Sequence, residues 1–148
     1  MGIIMRIMIF DGQGGGVGKC LVEELSSVCP QAELIAVGTN AMATANMMKG
    51  GTAFGATGEN AVIYNSKRAD VIVGPIGIVM ANAMLGEITP KMAEAVGSGD
   101  ANLFLIPMNR YGATVVGVES KKLTEYIREA TVKIAELQSQ STGFGKDI

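Results

Sequence analysis

The feature that most constrains this chain is the run Asp11-Gly12-Gln13-Gly14-Gly15-Gly16-Val17-Gly18-Lys19, set between an apolar stretch and a helical one. Ile3 to Phe10 is apolar, rich in branched residues and without a helix cap, so it reads as a buried first strand. From Val17 the apolar residues Val17, Leu21, Val22, Leu25 and Val28 recur at helical spacing, and Pro30 ends the helix. Bare backbone at such a junction lets a phosphate approach the first-turn N–H groups and the positive end of the helix. The same glycines also suit tight strand-to-helix packing with no ligand.

The loop matches no complete nucleotide motif. The dinucleotide fingerprint GxGxxG fails in every register, because Val17 or Lys19 stands where a glycine is needed. The P-loop pattern fails because Gln13 takes its first glycine position and Cys20 replaces the hydroxyl that would hold magnesium. The spacing GxxxGxG does fit, through Gly12, Gly16 and Gly18, and is similar to the cofactor loop of short-chain dehydrogenases. That family's Tyr-x-x-x-Lys pair is missing, since Tyr64 has Arg68 at the lysine offset.

Beyond the first helix, the pattern alternates. Leu34 to Val37 reads as a strand and Ala41 to Lys49 as a helix stopped by Gly50-Gly51. Thr52 to Gly58 reads as glycine-rich loop, Glu59 to Ala69 as a helix and Asp70 to Gly74 as a strand. The apolar run Ile76 to Leu85 is expected to be helical, and Thr89-Pro90 supplies the cap and first residue of a helix ending near Gly97. Leu103 to Pro107 and Thr114 to Val118 are six residues apart, too close for a parallel crossover, which predicts an antiparallel hairpin. Leu123, Ile127, Ala130, Ile134 and Leu137 give the last helix its stripe, and residues 138–148 read as a flexible tail. The expected fold is a single α/β domain over residues 1–137: a three-layer, doubly wound, mostly parallel sheet of about five strands with one antiparallel edge strand.

Composition narrows the partners. The chain of 148 residues is too short for a nucleotide domain plus a substrate domain. Charged residues make up 18% of it, against roughly 25% in typical domains. With ten methionines and a mean hydropathy of +0.32, this predicts apolar surface covered by a second subunit, most simply in a homodimer. A net charge of −2 without a dense Lys/Arg cluster gives no footprint for nucleic acid. No histidine is present, and Cys20 and Cys29 form no metal-ligand spacing, so no metal is expected. Arg6 interrupts an apolar start too short for a secretory core, and no run reaches the ~20 apolar residues of a membrane span. A cytoplasmic location is the expectation.

In open α/β sheets ligands bind beyond the carboxyl ends of the strands. Those ends deliver Gly12 to Lys19, then Gly38-Thr39-Asn40, then Gly74-Pro75-Ile76-Gly77, then Pro107-Met108-Asn109-Arg110, with Arg110 a natural anion clamp. No acidic residue follows the second strand to grip a ribose, and no arginine there marks a 2′-phosphate. Asp11 suits a ribose, a metal-bound phosphate or a proton, or simply backbone N–H groups at the turn. Glu59 suits a general base, with Thr57 alternatively a helix cap.

The segments Asp11 to Gly16, Gly38 to Ala41, Gly55 to Asn60, Gly86-Glu87-Ile88-Thr89-Pro90 and Ile106 to Arg110 carry a resemblance along nearly the whole chain. It resembles a family of short bacterial Rossmann-like proteins described as a domain of unknown function and often as nucleotide-binding. Members usually have a cysteine after the arginine, where this chain has Tyr111. The resemblance implies a Rossmann-like fold.

The expected activity is binding of a nucleotide or dinucleotide, NAD(P) or another, with sensing rather than turnover. Gly12, Gln13, Gly14, Gly15, Gly16, Val17, Gly18 and Lys19 would cradle the phosphate, Thr39 and Asn40 would meet a ribose or base, and Asn109 and Arg110 would close the site. The rival is an enzyme acting on a phosphorylated or carboxylated metabolite, with Glu59 or Asp11 as base and Lys19 or Arg110 stabilising negative charge. A third reading is an interaction module whose apolar Ile76 to Leu85 segment is the partner surface.

Overall fold

The computed structural model describes residues 4–108 and 112–140 of the protein. Its centre is a pair of parallel strands, β1 (Arg6–Asp11) and β4 (Val71–Pro75), whose residues Ile7 to Phe10 and Val71 to Val73 are fully buried. Strands covered on both faces need such continuous apolar runs, and burying each large side chain contributes about 1.5–3 kcal/mol. β2 (Glu33–Gly38) pairs with β1, and β5 (Asn102–Ile106) pairs with β4. β3 (Gly55–Thr57) completes the order β3-β2-β1-β4-β5, and every pairing is parallel.

The strand alternation feeds two cores. Ile7, Ile9, Val71 and Val73 face α1 (Gly16–Val28), α2 (Ala41–Met48) and α5 (Leu123–Gln138), through Leu21, Leu25, Met47, Ile127 and Ile134. Met8, Phe10 and Ile72 face α3 (Glu59–Arg68) and α4 (Pro90–Ser98), through Val62, Met92 and Val96. Local signals set the helix ends. Asn40 Oδ1 accepts the Ala43 N–H at 2.9 Å, and Thr89 Oγ1 accepts the Met92 N–H at 3.1 Å with Pro90 following it. Among the described residues no helix is long and apolar enough to cross a membrane.

The structure corrects four expectations. The edge strand is not antiparallel: Thr114 to Val118 forms no ladder, and β5 is the parallel edge. Gly117 within that segment has φ of 87°, which breaks the extended run, and Val115, Val116 and Val118 are exposed. The fifth strand is instead β3, inside the segment read as loop. The run Ile76 to Leu85 is not an α-helix, since only Ile76–Val79 forms a 3-10 turn and tight turns follow to Gly86. Asn82, Met84 and Leu85 take left-handed φ of 68°, 59° and 57°, a conformation that no α-helix accepts. Finally, Thr57 closes β3 and Gly58 is the cap residue of α3, so Thr57 does not cap it; its hydroxyl pairs with Thr44 Oγ1 at 2.7 Å.

Gln138 lies in α5 rather than in the tail, and residues 141–148 of the expected tail lie outside the described residues, as does Ile3 of the first strand. The segment before α5 is tied down by Tyr126, whose hydroxyl donates to the Glu119 carbonyl and accepts the Lys121 N–H at 3.0 Å. Hydrogen exchange checks the edge: amides that β5 bonds to β4 should be protected, whereas those of Val115, Val116 and Val118 should exchange rapidly. Strand-like protection across Thr114 to Val118 would restore the hairpin.

Candidate functional site

The chain runs outward from β1 through β2 to β3 and then returns to place β4 on the other side of β1. The crevice between the carboxyl ends of β1 and β4 is therefore the switch point of the sheet, where open α/β sheets receive ligands. The glycine loop leaves β1 at that crevice. Gly15, at the cap position of α1, has φ of 71°, and a Cβ there would lie 2.6 Å from the Ala43 carbonyl oxygen, so only glycine fits.

Because Gly15 has no side chain, α1 is capped from the strand. Asp11, only 4% exposed, accepts the Gly12 N–H on Oδ1 and the Gly18 N–H on Oδ2, both at 2.8 Å. Burial raises the pKa of its carboxyl. The two N–H groups lower it in part, and the negative charge of Glu87 adds to the rise. Of the two sequence readings of Asp11, its contacts are those of the backbone-bonding one.

A second carboxylate arrives from the connection after β4. Glu87 Oε1 accepts the Gln13 N–H at 2.8 Å, Thr39 Oγ1 at 2.6 Å and Asn40 Nδ2 at 2.9 Å. Burial pushes its pKa up, but hydrogen bonds from Thr39, Gln13 and Asn40 outweigh this and hold the carboxyl below its ordinary value. Asn40 Nδ2 also donates to the Gln13 carbonyl at 3.0 Å, and Asn46 Nδ2 to the Gly14 carbonyl at 2.9 Å. Sequence reasoning missed Glu87 and its neighbour Met84. The one available signal was an acid with no assigned role in the segment Gly86-Glu87-Ile88-Thr89-Pro90.

The protein's own groups thus engage the N–H groups of Gly12, Gln13, Gly15 and Gly18. Those of Gly14, Gly16 and Val17 have no partner among the described residues, and Gly14 and Gly16 are exposed. They border a cavity of about 240 Å³ lined by residues 11–17, Pro75, Met84, Met108 and Leu123. Two larger hollows, of about 600 and 540 Å³, lie against β5, α5 and the segment before α5. Neither touches the glycine loop, and Lys121 and Glu129 at the larger one already lie 3.5 Å apart as an ion pair.

The remaining candidates fall in several places. Gly12 to Val17 line the cavity; Gly18 is buried beneath it, and Lys19 sits one residue further along α1 without lining it. Thr39 and Asn40 are brought to the loop but hold Glu87. Glu59, in the first turn of α3, accepts the Thr89 hydroxyl at 2.6 Å and does not line the cavity. Asn109 and Arg110, with Tyr111, lie outside the described residues, and Met108 before them is at the cavity wall. Gly74 and Pro75 belong to β4 itself. Among the described residues no three His, Cys, Asp or Glu side chains gather as a metal site.

The two carboxylates predict opposite pH effects. Glu87 has a folded pKa below its ordinary 4.5, so its stabilising contribution is present above 4.5 and is lost as the pH falls through the folded value. Asp11 has a folded pKa above its ordinary 3.8, so its contribution is present below 3.8 and is lost as the pH rises through the folded value. In Glu87→Gln the loss of stability on acidification, followed by denaturant unfolding down to about pH 3, should be shallower than in the wild type. Asp11→Asn should cost about 1–3 kcal/mol at neutral pH, because one backbone N–H would lose its acceptor. Equal acid limbs, or an Asp11→Asn protein as stable as the wild type, would contradict these roles.

A family model described as "Domain of unknown function (DUF3842)" matches residues 6–139, which takes in every strand and helix described above. No curated protein matches the sequence. The match runs from the start of β1 past the end of α5, and the chain belongs to the DUF3842 family.

Proposed function

We propose that this protein binds a phosphate-bearing small molecule, a nucleotide or a related phosphate ester, on the glycine loop of residues 11–19. The observation that carries this reading is the set of free N–H groups on Gly14, Gly16 and Val17, which open on a cavity at the β1/β4 switch point. An anion there meets the positive end of α1, worth about 0.3–1 kcal/mol, and hydrogen bonds to a charged group, worth about 1.5–3 kcal/mol each. Binding is favoured over turnover because Asp11 spends both oxygens on backbone N–H groups and Glu59 stands away from the cavity. The chain has no histidine, and Glu87, the other carboxylate at the loop, spends Oε1 on Gln13, Thr39 and Asn40 and does not line the cavity.

A thermal-unfolding screen against nucleotides, coenzyme A and sugar phosphates tests the reading, since a ligand at 100 times its dissociation constant stabilises by about 2.7 kcal/mol. At least one phosphate compound should raise the melting temperature. Gly16→Asp is the matching control: a Cβ at Gly16 meets nothing within 4 Å, so the fold should persist while the new carboxylate occupies the anion's place. Its affinity for the same compound should fall by about tenfold or more. No response from any phosphate compound, or an undiminished response in Gly16→Asp, would refute the proposal.

A further inference from the structure

The cavity lies on only one side of the glycine loop. Its other walls come from Pro75 of β4, from Met108 after β5, from Leu123 at the start of α5 and from Met84, which bounds it on the strap side. On the other side, above the carboxyl end of β2, the space is filled by the strap of residues 80–88. Met84, 4% exposed, lies over Gly12 so closely that a Cβ there would be 2.6 Å from its sulfur, 2.7 Å from Thr39 Oγ1 and 3.3 Å from Glu87 Oε1. Glu87 fastens the strap to Gln13, Thr39 and Asn40, which belong to the loops after β1 and β2. In a dinucleotide site the adenosine ribose lies at the end of the second strand. Here that position holds the Met84 side chain and the Glu87 carboxylate, whose Oε1 is already taken by Gln13, Thr39 and Asn40 and so is not free to grip a ribose.

We infer that Met84 and Glu87 determine specificity by closing the β2 side, so that the site takes a phosphate monoester whose compact sugar or nucleoside body lies over β4 and β5, and refuses an adenine dinucleotide. The inference rests on the phosphate-binding reading above and narrows it to one ligand class. A sugar phosphate and a mononucleotide share the chemistry: one terminal phosphate for the N–H groups of Gly14, Gly16 and Val17, and one compact body for the apolar wall of Pro75, Met108 and Leu123. A dinucleotide reaches the loop only after the strap is displaced, and its apparent affinity falls by the fraction of molecules in which the strap is open.

Calorimetric titration of the full chain with ribose 5-phosphate, a pyrimidine mononucleotide, NAD and inorganic pyrophosphate tests this. The wild type should bind one of the two monoesters at least about tenfold more tightly than NAD. Glu87→Ala and, separately, Met84→Ala should narrow that gap by strengthening NAD binding. The wild-type ratio needs no variant, so it decides the matter even where Met84→Ala unfolds. NAD bound as tightly as the monoesters, or weakened by Glu87→Ala, would overturn the inference and make Glu87 a ribose acceptor, with the phosphate loop intact. If the wild type binds none of the four probes, the phosphate reading itself fails and takes this inference with it.

Discussion

The arrangement depends on one buried carboxylate. Asp11 ends β1 and reaches across the glycine loop to the third residue of α1, so the strand caps the helix that follows it. The path between the two is thereby fixed: the chain must double back through Gly15 while Gly12 and Gly18 lie against the Asp11 carboxyl group. A buried carboxylate with no hydrogen-bond partner would be very costly. The two backbone N–H groups keep the group tolerable, and its raised pKa shows that burial still outweighs them. What remains after Asp11 and Glu87 have taken their donors is a short row of N–H groups facing outward. The loop's free donors are therefore a remainder left by its own architecture.

Much of this was legible in the sequence, because burial on both faces leaves a strong mark. Ile7 to Phe10, Leu34 to Val37 and Val71 to Val73 are strands that the apolar runs announce, and α1 and α5 carry stripes that their packing requires. β3 left no such mark. Gly55, Ala56 and Thr57 pair with Ala36, Val37 and Gly38 through the backbone, and no side-chain pattern records that pairing. Thr114 to Val118 erred the other way, since branched residues suggested a strand where no neighbouring edge received one. Ile76 to Leu85 was misread because it is apolar for the sake of the core: Ile78 and Met84 pack beneath α4, while the chain turns too tightly for a helix. Of the site, the glycine loop was visible and its partner was not. Glu87 is 48 residues from Thr39 and 74 from Gln13, and only the return of the chain to β4 brings them together.

The strap that carries Glu87 is held against its own backbone preferences. Left-handed backbone at a non-glycine residue costs roughly 1–2 kcal/mol, and Asn82, Met84 and Leu85 all adopt it. Met84 offsets part of that cost by burial, whereas Leu85 is 98% exposed and offsets none. Backbone hydrogen bonds within the strap and the burial of Ile88 offset more, and the carboxylate of Glu87 adds three donors that bond an ionised group more strongly than a neutral partner would. Ionisation of Glu87 and closure of the β2 side are thus one property seen from two directions. The groups that hold the carboxylate ionised are the groups that anchor the strap, and Gln13 is both an anchor and a member of the glycine loop. The strap is therefore fastened to the glycine loop at Gln13, one residue before the first of the free N–H groups, while Asp11, Asn40 and Asn46 hold the loop by bonds of their own.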